Sequence, residues 1–366
     1  MKKAIVSVIS AILSMLFLGI HAAAITPDYY ISQNIIVCSG TKASCGSYTM
    51  SPGDAVQYGV NLELPAEAAL VCIKPDSALN FVSSGELTVC NDNGEPFFTT
   101  LLNYTTTDGY FYSLDGMPRD GDGCFTYVLS LTDTPAVGDA GMACEITVLD
   151  TDGHVLSSNK SPRVYSLYMT ISTVDTRLPK SDTSSKEPTV TTYNGQYVGE
   201  GAFTLYTDRE RRHPLSFLEG FREYTVCPEG TDMATQLLKT DIGGHLIVKG
   251  LQSGTYYLCE AEPPLDYYKA TSGPIAVTLN LEENSDGEVK MTMVQTPMKS
   301  ENTEVVLLRD KTRNSAVLLD YKDASASLPR TLLRHPAALI ATLTAAVVLG
   351  GFTLAARGGS KKKRSA

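Results

Sequence analysis

From residue 30 to residue 165 the chain repeats one rhythm, short apolar or β-branched runs broken every few positions by Gly, Pro, Asn or Asp. "QNIIVCSG", "AVQYGVNLELP", "GYFYSLDG", "CFTYVLSLTD" and "CEITVLDTDG" are such runs. Alternation with a period of two is clearest in "VQYGVNLEL", residues 56–64, where every second side chain is apolar or aromatic. That period puts one apolar face and one polar face on an extended strand, and regularly spaced turn signals then predict antiparallel β-sandwiches. The same rhythm returns after residue 169. Long amphipathic periodicity is absent, and the best short helical candidate is residues 230–239, "GTDMATQLLK".

Two segments break the rhythm by being continuously apolar. Residues 1–24 open with Lys2 and Lys3, run through "AIVSVISAILSMLFLGI" and close on three alanines, the layout of a secretory signal. Residues 337–356 form a second apolar run whose 20 positions span roughly 30 Å as a helix, enough for a bilayer core. The basic tail beyond it, "KKKR", predicts a cytoplasmic C-terminus and an exported remainder, anchored by a single membrane pass. From residue 25 to Leu328 stand 21 basic and 40 acidic residues, a net of about −19, which disfavours nucleic acid and anionic lipid as partners. A boundary near residues 165–168 divides the exported part into an N-terminal sandwich over 25–168 and a second over 169–299. Residues 300–327 then read as a stalk, with "TEVVLLRD" as an alternative strand within it, and 328–366 as the anchoring segment. All eight cysteines fall in the exported part, and an even count there predicts disulfides. For Cys38, Cys45, Cys72, Cys90, Cys124 and Cys144, neighbour pairing in that order is the simplest of the 15 connectivities, because short loops close most readily.

The order of features from Thr170 onward ("MTISTVD", "GEGAFTLYTD", "LQSGTYYLCEAEPPLDYY", "VKMTMVQTP") resembles the collagen-adhesin B-type, or SpaA-like, domain of Gram-positive pilins and adhesins. Ala202, Phe203, Leu205 and Tyr206 match one strand of that family, and Gly250, Leu251 and Gly254 match a turn. Tyr256, Leu258, Glu260, Pro264 and Tyr267 resemble its E-box, while Ala261, Pro263 and Asp266 depart from it. The resemblance implies an all-β chain of two tandem immunoglobulin- or transthyretin-like sandwiches followed by the transmembrane helix. It also implies a role for Glu260. In the family, a buried protonated glutamate polarises an asparagine amide that a buried lysine attacks, tying the first strand to the last with loss of ammonia. The matching positions in this chain are Thr173 and Gln295, so both reactants are replaced and no isopeptide bond is expected. Glu260 then reads as a structural carboxylate facing the core, and a Cys227–Cys259 disulfide as the substitute tie, contributing about 3–4 kcal/mol in the chain-entropy picture. A cross-linking triad drawing on Lys180 or Lys186 is the alternative.

In the first domain Gly53, Asp54, Val56 and Tyr58 resemble the opening strand of the fimbrial isopeptide-forming domain. "VYSL", residues 164–167, stands where a polymerising pilin carries V-Y-P-K, and the missing lysine points to an accessory subunit or adhesin rather than a shaft. Leu328, Pro329, Arg330 and Thr331 resemble the L-P-x-T sorting signal, with Leu332 in place of the usual glycine. The resemblance therefore implies a sortase and other pilin subunits as partners, besides an unidentified host or matrix ligand, at the cell wall or plasma membrane. Either a variant sortase reads the motif or the chain stays membrane-embedded.

No catalytic residue, metal site or cofactor follows from the motifs. Ser216 and His213 lack a nucleophile-elbow setting, and Asp115, Asp120 and Asp122 lie in a polar loop without the spacing of a calcium hand. The expected function is a cell-surface anchored, pilin-like structural or adhesive protein. The alternative is a stand-alone membrane-anchored receptor that joins no pilus.

Overall fold

The computed structural model describes residues 29–133, 141–175, 196–197, 199–264, 273–295, 298–300, 303–308 and 316–321. Residues 1–24, 328–331 and 337–356, together with Tyr267, Lys180 and Lys186, lie outside the described residues. Among those described, no helix is long and apolar enough to cross a membrane. Every helix or strand assigned there is a β-strand.

The first sandwich stacks two sheets. One runs β1 (Ile31–Cys38), β4 (Ala55–Leu64), β11 (Gly121–Leu131), β7 (Leu87–Cys90) and β8 (Pro96–Thr100), with β6 (Leu79–Ser84) also paired to β11. The other runs β13 (Val155–Lys160), β12 (Cys144–Asp150), β5 (Ala68–Pro75), β10 (Gly109–Ser113) and β9 (Leu102–Thr106). Alternation decides which side chains fill the space between them. On β4, Val56, Tyr58, Val60, Leu62 and Leu64 point inward at 2% exposure or less. On β11, Phe125, Tyr127, Leu129 and Leu131 also point inward, at 5% exposure or less. The two strands pair antiparallel from Gly121↔Leu64 to Ser130↔Ala55, which makes Tyr58 and Tyr127 direct partners. Their rings stack with centroids 5.0 Å apart. Each such large side chain stabilises the fold by about 1.5–3 kcal/mol through burial.

The second sandwich follows the same logic. One sheet runs β18 (Ser216–Glu219), β19 (Glu223–Cys227), β21 (His245–Leu251), β15 (Leu167–Asp175), β27 (Ala316–Tyr321), β26 (Thr303–Leu308) and β25 (Met298–Ser300). β16 (Gln196–Tyr197) also pairs with β15. The facing sheet runs β20 (Leu238–Lys239), β17 (Ala202–Tyr206), β22 (Gly254–Glu262), β23 (Ile275–Glu283) and β24 (Val289–Gln295). Phe203, Leu205, Phe217, Leu258, Val248 and Ile275 are fully buried between them.

A small third sheet joins the sandwiches: β2 (Thr41–Lys42), β3 (Tyr48–Thr49) and β14 (Val164–Tyr165). Only Ser166 separates β14 from β15, so the chain passes between domains without a linker. The tip of the β2–β3 hairpin enters the second core, where Ala43 is 6% exposed and Cys45 packs alongside. Asn280 donates to the Ser44 hydroxyl at 2.8 Å, Ser44 to the Leu281 carbonyl at 3.1 Å, and the Ser253 N–H to the Thr49 hydroxyl at 2.8 Å. Ser51 donates to the Gly250 carbonyl at 2.7 Å. Gly250 has φ +78°, and a Cβ there would meet Pro52 at 2.8 Å, so this close approach requires glycine.

These strands correct the expected helix and fall partly within the segment read as a stalk. Residues 230–239 form turns and the short β20 rather than a helix, because Phe217 and Thr235 exchange both backbone hydrogen bonds at 2.8 Å and hold the segment extended. An isolated helix of that length would in any case be marginal. Within the segment read as a stalk, β26 and β27 pair with each other, and β27 pairs with β15 inside the second sandwich. The alternating runs "TEVVLL" and "AVLLDY" supply the apolar positions that a solvated stalk lacks.

Candidate functional site

The polar groups that matter most are buried, and each sandwich holds one set. In the second, β22 places Tyr256, Leu258 and Glu260 on the inward face at 7%, 0% and 5% exposure. Tyr257 and Cys259 are less deeply buried on the opposite face, and Pro264 is buried just beyond the strand. The Tyr256 hydroxyl donates to the Gln252 carbonyl at 2.9 Å and accepts from the Gln252 N–H at 3.0 Å. Burial pushes its pKa up to about 12, so it stays a neutral donor. Glu260 stands opposite Phe203 of β17. Thr173, fully buried on β15 of the other sheet, donates from its N–H to the Gly244 carbonyl at 2.9 Å and from its hydroxyl to the same oxygen at 3.3 Å. Gln295 is 6% exposed at the end of β24. Thr173 and Gln295 therefore lie on facing sheets, and the immediate neighbours of β15 at Thr173 are β21 and β27, with Leu319 of β27 in register. Beside Thr173, the Ser172 hydroxyl lies 2.8 Å from His245 Nδ1.

The first sandwich carries a set that motif reading missed. Gln33, the only buried polar residue of β1, is 6% exposed between the inward positions Ile31 and Ile35. Its amide nitrogen donates to the Asn159 carbonyl of β13 at 2.8 Å, and its carbonyl accepts from the Tyr127 hydroxyl at 2.7 Å. β1 and β13 are edge strands of opposite sheets, so one amide side chain seals that seam of the sandwich. Tyr58 reinforces it by donating to the Pro162 carbonyl at 3.1 Å. Burial raises the pKa of both Tyr58 and Tyr127. The signal was present in "ISQNIIV": a period-two strand with an amide at an apolar parity.

The structure holds no disulfide among the eight cysteines. Cys38 packs against the first core, whereas Cys45 packs against the second. Cys72 on β5 and Cys90 on β7 belong to facing sheets, as do Cys227 on β19 and Cys259 on β22. Cys124 points outward from β11, while Cys144 is fully buried on β12 of the other sheet. Cys90 alternates with the inward Leu87 and Val89, Cys259 with the inward Leu258 and Glu260, and Cys124 with the inward Phe125, so in each pair at least one side chain points away from the space between the sheets, and Cβ vectors that point apart cannot be bridged. Burial pushes the Cys72 and Cys144 thiols up to about 12, which leaves them as small, unreactive core groups.

Elsewhere the titratable groups serve turns. Among the described residues, Asp150, Asp152 and His154 bring three potential ligand atoms within 4.8 Å of one another. Asp150 Oδ1 accepts from the N–H groups of Asp152 and His154, both at 2.8 Å, which closes the β12–β13 hairpin. Ser216 lies in β18 at 9% exposure, and the exposed His213 pairs with Asp208 at 3.4 Å. An open cavity of about 580 Å³ lies where β8 crosses to β9, lined by Glu86, Thr99, Thr100, Asn103 and Tyr104 among others.

Solved structures similar to this fold are Gram-positive major pilin backbone proteins. Full-length RrgB from Streptococcus pneumoniae aligns with TM-score 0.48 and 10% identity over 81% of this chain and 74% of its own. The group B streptococcus pilus 2b backbone protein aligns with TM-score 0.44 and 17% identity over 81% and 99%. BcpA of Bacillus cereus gives 0.38 and 10% over 81% and 71%. No family model matches the chain, and no curated protein matches it.

Proposed function

We propose that this chain is a cell-surface anchored structural or adhesive protein of the pilin type, an accessory subunit or adhesin whose work is mechanical rather than catalytic. The observation that carries the reading is the buried, core-facing Glu260 on the E-box-like strand β22, in a sandwich joined without linker to a second one. Export by residues 1–24 and anchoring through residues 328–366 supply the address, either at the cell wall through a sortase or in the membrane by a single pass. Thr173 and Gln295 leave Glu260 without the reactants for an amide tie, and its role is structural.

The test is fractionation with surface proteolysis of intact cells, in the presence and absence of the cell's sortases. Surface exposure with a sortase-dependent covalent ladder supports a pilus component. Surface exposure as monomer supports the second reading, a stand-alone receptor. The open cavity beside Asn103 and Tyr104 favours that receptor reading, because it offers a host or matrix ligand hydroxyl, amide and aromatic contacts on the first sandwich. Recovery in the cytosol would overturn both.

A further inference from the structure

β15 and β27 are the strands through which the second sandwich meets the rest of the chain. β15 starts one residue after β14, and β14 is locked into the junction sheet beside β3. Met50 N–H donates to the Tyr165 carbonyl at 2.8 Å, and Ser51 ties the same corner to Gly250. Load reaching the second sandwich from the first thus enters β15 at its N-terminal end. β27 is the last described strand, and the remaining chain leaves it at its C-terminal end.

The two strands are parallel neighbours, in register from Thr170↔Ala316 to Val174↔Asp320. Neither is a free edge: β21 flanks β15 and β26 flanks β27. Pulling the chain by its ends therefore draws β15 and β27 past each other along their length. Their ladder hydrogen bonds are loaded together, and none can open before the others. A hairpin pulled from its open end would instead unzip one bond at a time.

We infer that the β15–β27 pair is a shear clamp that makes the second sandwich resist tension applied through the chain ends. The idea rests on the anchored reading only for the origin of the tension. The clamp itself is a property of the fold, so it can fail while surface localisation stands, and the reverse.

Single-molecule force spectroscopy on the full chain decides it. With handles at the two ends, the second sandwich gives a high-force rupture. Moving the C-terminal handle to the exposed β23–β24 turn at Asp286 alters no strand but bypasses β27, and the high-force rupture is lost. Leu318→Pro, which removes one N–H from the β27 ladders, lowers the end-to-end rupture force. Equal rupture forces in the two pulling geometries would overturn the clamp, whatever the proline variant does to folding.

Discussion

The two sandwiches close first strand onto last by different means. In the first, β1 and β13 sit on opposite sheets, and a single amide, Gln33, bridges them with help from Tyr127. In the second, β15 and β27 lie side by side, and closure is spread over a backbone ladder. A seal made by one buried side chain concentrates its cost at one position. A ladder shares the cost and tolerates most side-chain changes. Two sandwiches of one chain are thus closed in two ways, at a single buried side chain or along a shared backbone ladder.

The largest expected effect comes from the cores on which both closures depend. Phe203→Ala, at a fully buried site, should destabilise the second sandwich by about 3–5 kcal/mol. Calorimetry should show its transition moving while that of the first sandwich moves less. Equal shifts would mean one cooperative unit and would dissolve the comparison. Next, Gln33→Leu should cost the first sandwich about 2–3 kcal/mol, because the Tyr127 hydroxyl is left buried without its acceptor. Adding Tyr127→Phe should recover most of that loss, since removing both partners of a buried hydrogen bond is close to neutral. Denaturant melts of the single and double variants check it, and additive losses would show that the bond does not seal the seam.

A smaller effect is expected at the junction. Asn280→Ala removes the bond to Ser44, worth about 1 kcal/mol, and should speed alkylation of Cys45, which packs against the second core. An unchanged Cys45 rate would mean that the hairpin docks by other contacts. The smallest concerns pH. Burial holds the His245 imidazole below its ordinary value of 6.5, Asp241 opposing and the Arg222 guanidinium adding to the shift. The folded state therefore binds this proton less readily than the unfolded chain does. Its contribution to stability is complete above about pH 6.5 and declines as pH falls through that value. His245→Gln should flatten this part of the stability profile, and an unaltered slope would remove His245 as its source.

The strands were legible because alternation is local. "VQYGVNLEL" states its inward face outright, and Glu260 shares the parity of Tyr256 and Leu258. The same rule separates two of the cysteines. Cys124 is out of parity with Phe125 and Tyr127, whereas Cys144 shares parity with Ile146 and Val148, so the two face opposite ways. What could not be read was set by distant contacts. The β2 and β3 strands are two residues each, too short to show a period, and they hold together because Asn280, Gln252 and Ser253 of the second sandwich receive them. The strand β27 lies in a segment read as a stalk, and its pairing with β15 identifies it. Gln33 carried a readable parity, but its purpose depends on Asn159, 126 residues away.

Both sandwiches, on this account, are closed without an amide tie between side chains. Intact-mass spectrometry of the exported protein, after full reduction under denaturing conditions, tests that claim most directly. The account predicts the mass of the processed sequence with no deficit. A mass lower by one ammonia would mean that an amide cross-link has formed, and the closure of at least one sandwich would then be covalent.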